Sequence, residues 1–288
     1  MSKGMARVGA LDFVLVGPFK TGTSWMDIYL RDHANVVLPA EVKETFFFSD
    51  DDLYARGPEW FESLYPPVER SVLRGEVGPS YFRSEVALSR IKAVAPECRV
   101  VCSFREPAER LFSHYLHLLQ RGEVASDATF IDVLGDRAFL LDSARYSHHL
   151  ERWQQAFGAE RVTVLQYEDL VRNKQELVDR LCAGIGVEPM PVEEKLARRV
   201  NESMMPSNPS LTRLAYWASR RLRRSGLHRV ANLANNSGIR RVLFRQFTDR
   251  PTLTGEERDF VRQALRDDIE RLEDVAGREF DWSRADRG

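Results

Sequence analysis

Residues Gly17–Ser24, with the sequence GPFKTGTS, decide the fold, because they join a buried strand to a helix through a loop with two glycines. The run Phe13–Val16 before them is continuously apolar, as in a strand that is buried on both faces of a parallel sheet. After them, apolar residues from Thr23 to about His33 suit a largely buried helix, with Thr23 or Ser24 available as its N-cap. The opening unit is therefore strand, glycine loop, helix.

The alternation of strands and helices continues along the chain. Further strands are predicted at Val36–Leu38, Arg99–Phe104 and Arg161–Gln166, and further helices at Glu85–Ala95, from Pro107 onward, at Tyr146–Phe157 and from Thr254 to about Val275. This order indicates a three-layer α/β fold with a mostly parallel central sheet, a P-loop-like phosphate-binding unit, and ligands at the carboxyl ends of the strands. We expect residues 1–288 to form a single domain, with 203–288 as a helical C-terminal region packed on it.

Composition excludes several classes of protein. The 288 residues are 43% hydrophobic and 30% charged, which disfavours disordered and fibrous chains. No run reaches the roughly 18 apolar residues of a membrane-spanning helix, and the start of the chain lacks the apolar core of a signal peptide, so we expect a cytoplasmic protein. The three cysteines, Cys98, Cys102 and Cys182, form no C-x-x-C pair, so neither a disulfide framework nor a zinc site is expected. The net charge of −1 gives no general attraction to nucleic acid.

Charge is unevenly distributed, because no acidic residue occurs from Ser203 to Thr248. Either this stretch presents a solvated helix face, or its positive potential attracts an anionic ligand. We predict that it folds into helices that overhang the ligand cleft; the alternative is a surface that faces a membrane or a partner. Its nine arginines are Arg213, Arg220, Arg221, Arg223, Arg224, Arg229, Arg240, Arg241 and Arg245.

The loop Gly17–Ser24 has the features of an oxyanion site. Consecutive backbone N–H groups at a helix start, the positive end of the helix dipole and the ammonium of Lys20 together favour a dense anion. The loop is not a Walker A motif, because that motif has Gly-Lys-Ser/Thr in adjacent positions, whereas Lys20 precedes Gly22 by two residues. The alternative interpretation is an ordinary tight turn.

Two phosphate elements carry a family resemblance. Residues 17–24, taken as G-x-x-K-x-G-T-S, resemble the 5′-phosphosulfate loop of sulfotransferases that use 3′-phosphoadenosine 5′-phosphosulfate (PAPS). Residues 105–115 resemble the family's 3′-phosphate element, R-x-P-x-x-R-x-x-S-x-Y, in which an arginine fork and a helix serine grip one anion. The resemblance assigns donor binding to Gly17, Lys20, Thr21, Gly22, Thr23, Ser24, Trp25, Arg105 and Ser113.

Three weaker matches keep the family's order. Lys43–Phe48 resembles the K-E-x-x-F-F segment of bacterial and carbohydrate-type members, whose glutamate, here Glu44, is the proposed acceptor base. Glu76–Phe82 and Val164–Leu170 resemble the G-E-x-x-P-x-Y and Y-E-D-L stretches. Two departures remove candidate catalytic groups. Phe46 stands where some members have a histidine, and Val77 stands where some have a substrate-site lysine.

The resemblance implies transfer of the sulfuryl group of PAPS to a hydroxyl, less readily an amine, of a carbohydrate or small natural product, with release of adenosine 3′,5′-bisphosphate (PAP). In-line transfer needs a cation on the leaving side and a base on the attacking side, which suit Lys20 and Glu44 as catalytic residues. A glutamate with a pKa of about 4.3 is a weak base, so Glu44 needs either desolvation by Phe46 and Phe47 or late proton transfer. The alternative for Glu44 is an exposed carboxylate paired with Lys43.

Two other functions compete. A P-loop kinase-like phosphotransferase or nucleotide hydrolase would need adjacent Gly-Lys-Ser/Thr and a strand-end aspartate for magnesium. A catalytically inactive nucleotide-binding protein would keep only the recognition of PAPS. We expect a small-molecule or carbohydrate acceptor, with an anionic acceptor among the candidates, no nucleic acid partner, and no required metal, because a sulfuryl group carries little charge to neutralise. The acceptor's identity and the oligomeric state are open.

Overall fold

The computed structural model describes residues 11–67, 69, 71–197, 205–206, 209–224, 244–245 and 251–284. The chain forms two compact units. The first is made of Met1–Arg105, Arg145–Arg199 and Asp267–Gly288, and the second of Glu106–Ala144 and Val200–Arg266. The expectation of one domain over 1–288, with 203–288 packed on it, stays a prediction.

The first unit contains a sheet of five parallel strands. They are β1 (Phe13–Gly17), β2 (Val36–Val37), β3 (Leu73–Val77), β4 (Arg99–Phe104) and β5 (Val162–Gln166). Their spatial order is β2-β3-β1-β4-β5. All four strand pairs are parallel, and Leu15 in the centre of β1 is paired with Val77 on one side and Val101 on the other. The predicted α/β fold with a parallel sheet is confirmed.

The helices, numbered along the chain, have the following bounds. They are α1 Thr23–Arg31, α2 Asp51–Tyr54, α3 Pro58–Glu62, α4 Glu85–Val94, α5 Pro107–Gln120, α6 Phe130–Asp136, α7 Ala138–Asp142, α8 Tyr146–Phe157, α9 Tyr167–Arg172, α10 Lys174–Ile185, α11 Glu194–Ala197, α12 Pro209–Arg224, α13 Gly255–Ala264, α14 Arg266–Ala276 and α15 Asp281–Arg284. In the part of the chain that the structure describes, no helix has the length and apolarity needed to cross a membrane.

Helices cover both faces of the sheet. On one face, apolar residues of α1 and α10, such as Met26 and Leu181, form a single buried cluster with Leu15 and Val101. Side chains alternate along a strand, so Phe104 points to the face opposite Val101. There it stacks on Tyr146 of α8, with the ring centroids 4.6 Å apart. This arrangement is the three-layer order expected from the sequence.

The structure differs from the local predictions at three places. Strand β3 has no counterpart among the predicted strands, because Arg74, Gly75 and Glu76 interrupt its apolar pattern. The helix predicted from Thr254 to Val275 is two helices, α13 and α14, separated at Leu265, close to the boundary between the two units. The N-cap of α1 is Gly22 and neither Thr23 nor Ser24, and no side chain caps this helix.

The second unit is organised around α5. Pro107 occupies the first turn of α5, as predicted, and the Glu106 carboxylate caps that helix by accepting the N–H of Glu109 at 2.7 Å. Arg258 of α13 pairs with both carboxylates, at 2.8 Å to Glu106 and 2.6 Å to Glu109. Two short strands, β6 (Met205–Pro206) and β7 (Phe244–Arg245), pair antiparallel.

The acid-free stretch is described only in part. Helix α12 confirms that part of it is helical, and Arg213 and Arg221 on this helix are exposed. Residues 225–243, which include Arg229, Arg240 and Arg241, lie outside the described residues. The prediction that the stretch overhangs a cleft stays a prediction.

A glycine at the end of β1 tests the packing of the sheet edge. Gly17 has a φ of 87°, and a Cβ there would lie 2.7 Å from the Cβ of Pro79. Gly17→Ala should lower the free energy of unfolding by more than the ~1 kcal/mol expected for a left-handed backbone alone. The control is Gly135→Ala in α6, where a Cβ meets nothing within 4 Å and should stabilise by about 0.5 kcal/mol. Equal effects of the two substitutions in chemical denaturation would contradict the packing.

Candidate active site

The glycine loop is held rigidly from inside the protein. The fully buried Thr21 donates its hydroxyl to the carbonyl of Pro18 at 2.8 Å, and its own carbonyl accepts the hydroxyl of Ser103 at 2.9 Å. Lys20 has a φ of 73° and is half-buried. Gly22 has a φ of 86°, and a Cβ there would lie 3.1 Å from the Cδ2 of Tyr167. The loop is therefore a turn whose conformation is fixed by hydrogen bonds and close packing, and it lies at the carboxyl end of β1 as predicted from the sequence.

The first amides of α1 point out of this loop. The amides of Trp25 and Met26 donate to the carbonyl of Gly22, at 2.9 and 3.2 Å. The earlier N–H groups of a helix have no intrahelical acceptor, and here no side chain caps them. The amides of Gly22, Thr23 and Ser24 lie at the positive end of the helix dipole and suit an oxyanion.

Lys43 brings a second ammonium to the same helix start. Its Nζ donates to the Thr23 Oγ1 at 2.9 Å and to the Ser24 Oγ at 3.1 Å. Burial lowers the pKa of Lys43, which shows that its charge is poorly solvated there. From the sequence, Lys43 was expected at most to pair with Glu44. Its contact with Thr23 spans twenty residues, so only its place in the K-E-x-x-F-F segment pointed to a role.

Glu44 points away from Lys43, toward the loop that follows β3. Its Oε1 accepts the backbone N–H of Ser80 at 2.8 Å. Burial raises the pKa of Glu44, and hydrogen bonds from Ser80 and the charge of Lys43 oppose that rise. The alternative of an exposed carboxylate is wrong, because Glu44 is half-buried. Of the two phenylalanines expected to desolvate Glu44, Phe46 is 42% exposed, whereas Phe47 is buried and stacks on Phe61. Their part in the desolvation of Glu44 stays a prediction.

A second carboxyl group, Glu76, lies behind this segment. It is fully buried at the end of β3, and its Oε1 accepts hydrogen bonds from the Thr45 amide at 2.8 Å, the Thr45 hydroxyl at 2.5 Å and the Tyr81 hydroxyl at 2.9 Å. Its Oε2 is buried with no hydrogen-bond partner. Burial raises the pKa of Glu76 to about 7, although all three donors favour the ionised form. Sequence analysis placed Glu76 in a matched stretch but assigned it no role.

Arg105 follows β4 at the same edge of the sheet as the glycine loop. Its guanidinium lies 4.7 Å from the centroid of the Tyr167 ring, and the Tyr167 ring also borders Gly22. The two predicted phosphate elements therefore share one aromatic neighbour. Ser113 is half-buried in α5, which belongs to the second unit, so its joint role with Arg105 stays a prediction.

Trp25 is a predicted donor residue whose side chain packs in the core. It is 3% exposed, and its indole N–H donates to the carbonyl of Leu196 at 3.1 Å. Any contact of Trp25 with a ligand would therefore have to involve its backbone. The residues that the structure gathers at one edge of the sheet are Gly17, Lys20, Thr21, Gly22, Thr23, Ser24, Lys43, Glu44 and Arg105.

Comparison with known proteins identifies similar chains. A family model described as the sulfotransferase domain matches residues 11–273. A bifunctional heparan sulfate N-deacetylase/N-sulfotransferase of Drosophila melanogaster is 26% identical over 207 residues, which are 62% of this chain and 20% of that protein. The human protein named bifunctional heparan sulfate N-deacetylase/N-sulfotransferase 2 is 28% identical over 195 residues, which are 62% of this chain and 22% of that protein. The chain thus spans about a fifth of the length of these curated relatives.

One solved structure shares the fold over nearly the whole chain. The crystal structure of a sulfotransferase from Alicyclobacillus acidocaldarius has a TM-score of 0.66 and 20% sequence identity, and the match covers 96% of this chain and 100% of that one. At this identity the match supports the architecture of the parallel sheet and its helices.

The ionisation of Glu76 should appear in the pH dependence of stability. Its folded pKa of about 7 lies above the ordinary 4.5, so between these values the folded chain keeps a proton that the unfolded chain has lost. Stability should fall as pH rises through that window and should level off above it. Glu76→Gln should remove this loss, which is on the order of 3 kcal/mol for the full shift. Chemical denaturation at about pH 5 and pH 8 measures it; an unchanged pH dependence in Glu76→Gln would contradict the assignment.

Proposed function

The chain belongs to the sulfotransferase domain family, and from this we propose that it transfers the sulfuryl group of PAPS to a hydroxyl, less readily an amine, of a carbohydrate or small natural product. One observation carries the proposal. Two adjacent residues, Lys43 and Glu44, send an ammonium to the N-terminus of α1 and a carboxylate toward the loop after β3. A cation beside an oxyanion loop and a base on a neighbouring loop are what in-line transfer requires.

The donor side fits an anion with a phosphate and a sulfuryl group. The uncapped amides at the start of α1, the half-buried Lys20 and the Lys43 ammonium would hold the phosphosulfate. The lowered pKa of Lys43 supports this role, because a poorly solvated ammonium gains most from an arriving anion. Arg105 would hold the 3′-phosphate from the end of β4.

PAPS supplies a sulfuryl group attached to a phosphate leaving group. The acceptor oxygen or nitrogen forms a bond to sulfur, the bond from sulfur to the bridging oxygen breaks, and its electrons go to the phosphate of PAP. Lys20 and Lys43 stabilise the charge that develops on that phosphate. Glu44 takes the proton of the acceptor, and its raised pKa makes it a stronger base than an exposed glutamate. The step requires no metal, because a sulfuryl group carries little charge.

The acceptor class rests on the relatives. The names of the curated relatives include heparan sulfate N-sulfotransferase, which supports a carbohydrate acceptor and keeps an amine in consideration. Two polysaccharides distinguish an amine acceptor from a hydroxyl acceptor. One has free amines, and the other is its N-acetylated parent, which offers hydroxyls alone. PAP release from PAPS, followed in the presence of a metal chelator, measures transfer. Binding of PAP with no transfer to any acceptor in a broad panel would overturn the proposal and favour an inactive nucleotide-binding protein.

The 3′-phosphate assignment predicts a selective loss of affinity. Arg105→Ala removes a charged hydrogen-bond donor, which is worth about 1.5–3 kcal/mol, or roughly 10- to 150-fold in affinity. It should weaken PAP by this factor and adenosine 5′-phosphate far less. Titration calorimetry with both nucleotides measures the difference, and Arg172→Ala on α9, which lies outside the site, is the control. Equal losses for the two nucleotides would remove Arg105 from the 3′-phosphate.

The adjacent charged pair predicts a split between binding and turnover. Glu44→Gln should lower kcat by about 100-fold or more and leave PAP affinity nearly intact, because it removes only the base. Lys43→Met should lower PAP affinity by roughly tenfold or more. The controls are Glu41→Gln, an exposed carboxylate in the same segment, and Lys174→Met at the start of α10. Wild-type turnover in Glu44→Gln would show that another group is the base.

A further inference from the structure

The segment 39–48, which carries Lys43 and Glu44, has little regular structure of its own. Phe46 within it has a φ of 58°, a left-handed conformation that a bulky residue rarely adopts. Such a backbone persists only where neighbouring groups determine it. The position of Glu44 therefore depends on the contacts that hold this segment.

One end of the segment is held by α1. The Arg31 guanidinium donates to the carbonyls of Pro39 and Val42, each at 2.8 Å, and pairs with Asp27 at 3.0 Å. Because Asp27 is buried and on the same helix, the guanidinium is fixed before it reaches the segment. This contact secures the chain immediately before Lys43.

The other end is held by β3 through Glu76. Thr45 donates both its amide and its hydroxyl to the same oxygen of Glu76, at 2.8 and 2.5 Å. The Thr45 hydroxyl also accepts the amide of Phe47 at 3.1 Å, so the anchor extends past the left-handed residue. Glu44 lies directly before Thr45, and its own carboxylate binds back to Ser80 on the loop that follows β3.

We propose that Glu76 is a positioning residue for Glu44: its buried carboxyl fixes Thr45 to the end of β3 and thereby holds Glu44 toward the acceptor. This inference rests on the proposed role of Glu44 as the base. The Glu76 carboxyl has no hydrogen bond to Glu44 or to the glycine loop in the described part of the chain, so it acts through Thr45. One oxygen of Glu76 accepts three hydrogen bonds at the buried end of β3. A residue that only filled space there would need neither these donors nor an ionisable group.

The charge of Glu44 also acts on Glu76, because it adds to the rise in the pKa of Glu76. Among the described residues, the titratable groups that interact with Glu76 are Glu44, Tyr65 and Tyr81, and burial raises the pKa of each tyrosine. Two nearby carboxyl groups titrate as a coupled pair, in which the charge of one makes proton loss from the other harder. Glu44→Gln should therefore lower the pH at which the stability of the fold falls.

Two variants of Glu76 test whether its hydrogen-bond acceptor positions Glu44. Glu76→Gln keeps an oxygen that can accept from Thr45, so kcat should stay within about threefold of wild type. Glu76→Ala removes the acceptor, so kcat should fall on the order of 100-fold, the loss expected from misplacing a catalytic group. PAP affinity should stay within about twofold in both, because Ser103 and Pro18 hold the glycine loop and Arg31 holds the chain directly before Lys43.

Amide hydrogen exchange tests the anchor without reference to activity. The peptide that covers residues 43–48 should exchange faster in Glu76→Ala and at the wild-type rate in Glu76→Gln. Should Glu76→Ala fail to fold, Thr45→Val, which removes only the hydroxyl, should show a smaller increase in exchange and a smaller loss of kcat.

The outcomes distinguish this inference from the proposed function. A wild-type chain without transfer activity but with the expected exchange changes would overturn the role of Glu44 as a base while supporting the anchor. An active wild type with unchanged exchange and kcat in Glu76→Ala would overturn the anchor alone. Parallel losses of kcat and PAP affinity in Glu76→Ala, with no recovery of kcat in Glu76→Gln, would reduce Glu76 to a structural residue and overturn the inference.

Discussion

Strand β1 lies between β3 and β4, and its parallel hydrogen bonding to both is the constraint on which the site depends. Parallel strands end at one edge, so the loops that follow β1, β3 and β4 leave the sheet together. Those loops carry Lys20, Ser80 and Arg105. Gly17 tightens the edge further, because its missing side chain allows the backbone of Pro79 to approach within van der Waals distance. These three residues are thus gathered by backbone geometry before any side chain contributes.

Burial of charged groups at this edge is unfavourable, and it shifts the pKa values of two neighbouring residues in opposite directions. Burial lowers the pKa of Lys43 and raises that of Glu44, so burial disfavours the charged form of both residues. Burial raises the pKa of Glu76 as well. A chain selected for stability alone would not concentrate such groups, and perturbed titratable groups are typical of functional sites. An anion bound at the start of α1 would compensate the ammonium, which is consistent with the proposed donor site.

Short-range patterns in the sequence predicted the fold well where the signal is local. The continuous apolar runs of β1 and β4 and the bounds of α8 follow from periodicity and from Gly158, which ends the helix. Strand β3 could not be found in this way. Its Gly75 lies under the ring of Phe13, which fills the space of the missing side chain, and its Glu76 is buried only because Thr45 and Tyr81 solvate it. Both reasons are contacts across the fold.

The same difference between local signals and contacts across the fold applies to the residues of the site. The glycine loop and Arg105 could be proposed because each belongs to a motif at the end of a strand, and Glu44 because it belongs to the K-E-x-x-F-F segment. Lys43 contacts Thr23, 20 residues away, and Glu76 contacts Thr45, 31 residues away. A pattern within one segment cannot predict such contacts.

These hidden contacts connect the two halves of the proposed reaction. Lys43 touches the donor loop and Glu44 touches the loop after β3, so a single peptide bond links the two sides. Anion binding at the donor loop would strengthen the hold on Lys43, and the anchors at Arg31 and Thr45 limit how far the segment can move in response. Binding of the donor would then restrict Glu44 without touching it. Such restriction makes proton removal from an acceptor less demanding in entropy, because the base is already oriented when the acceptor arrives.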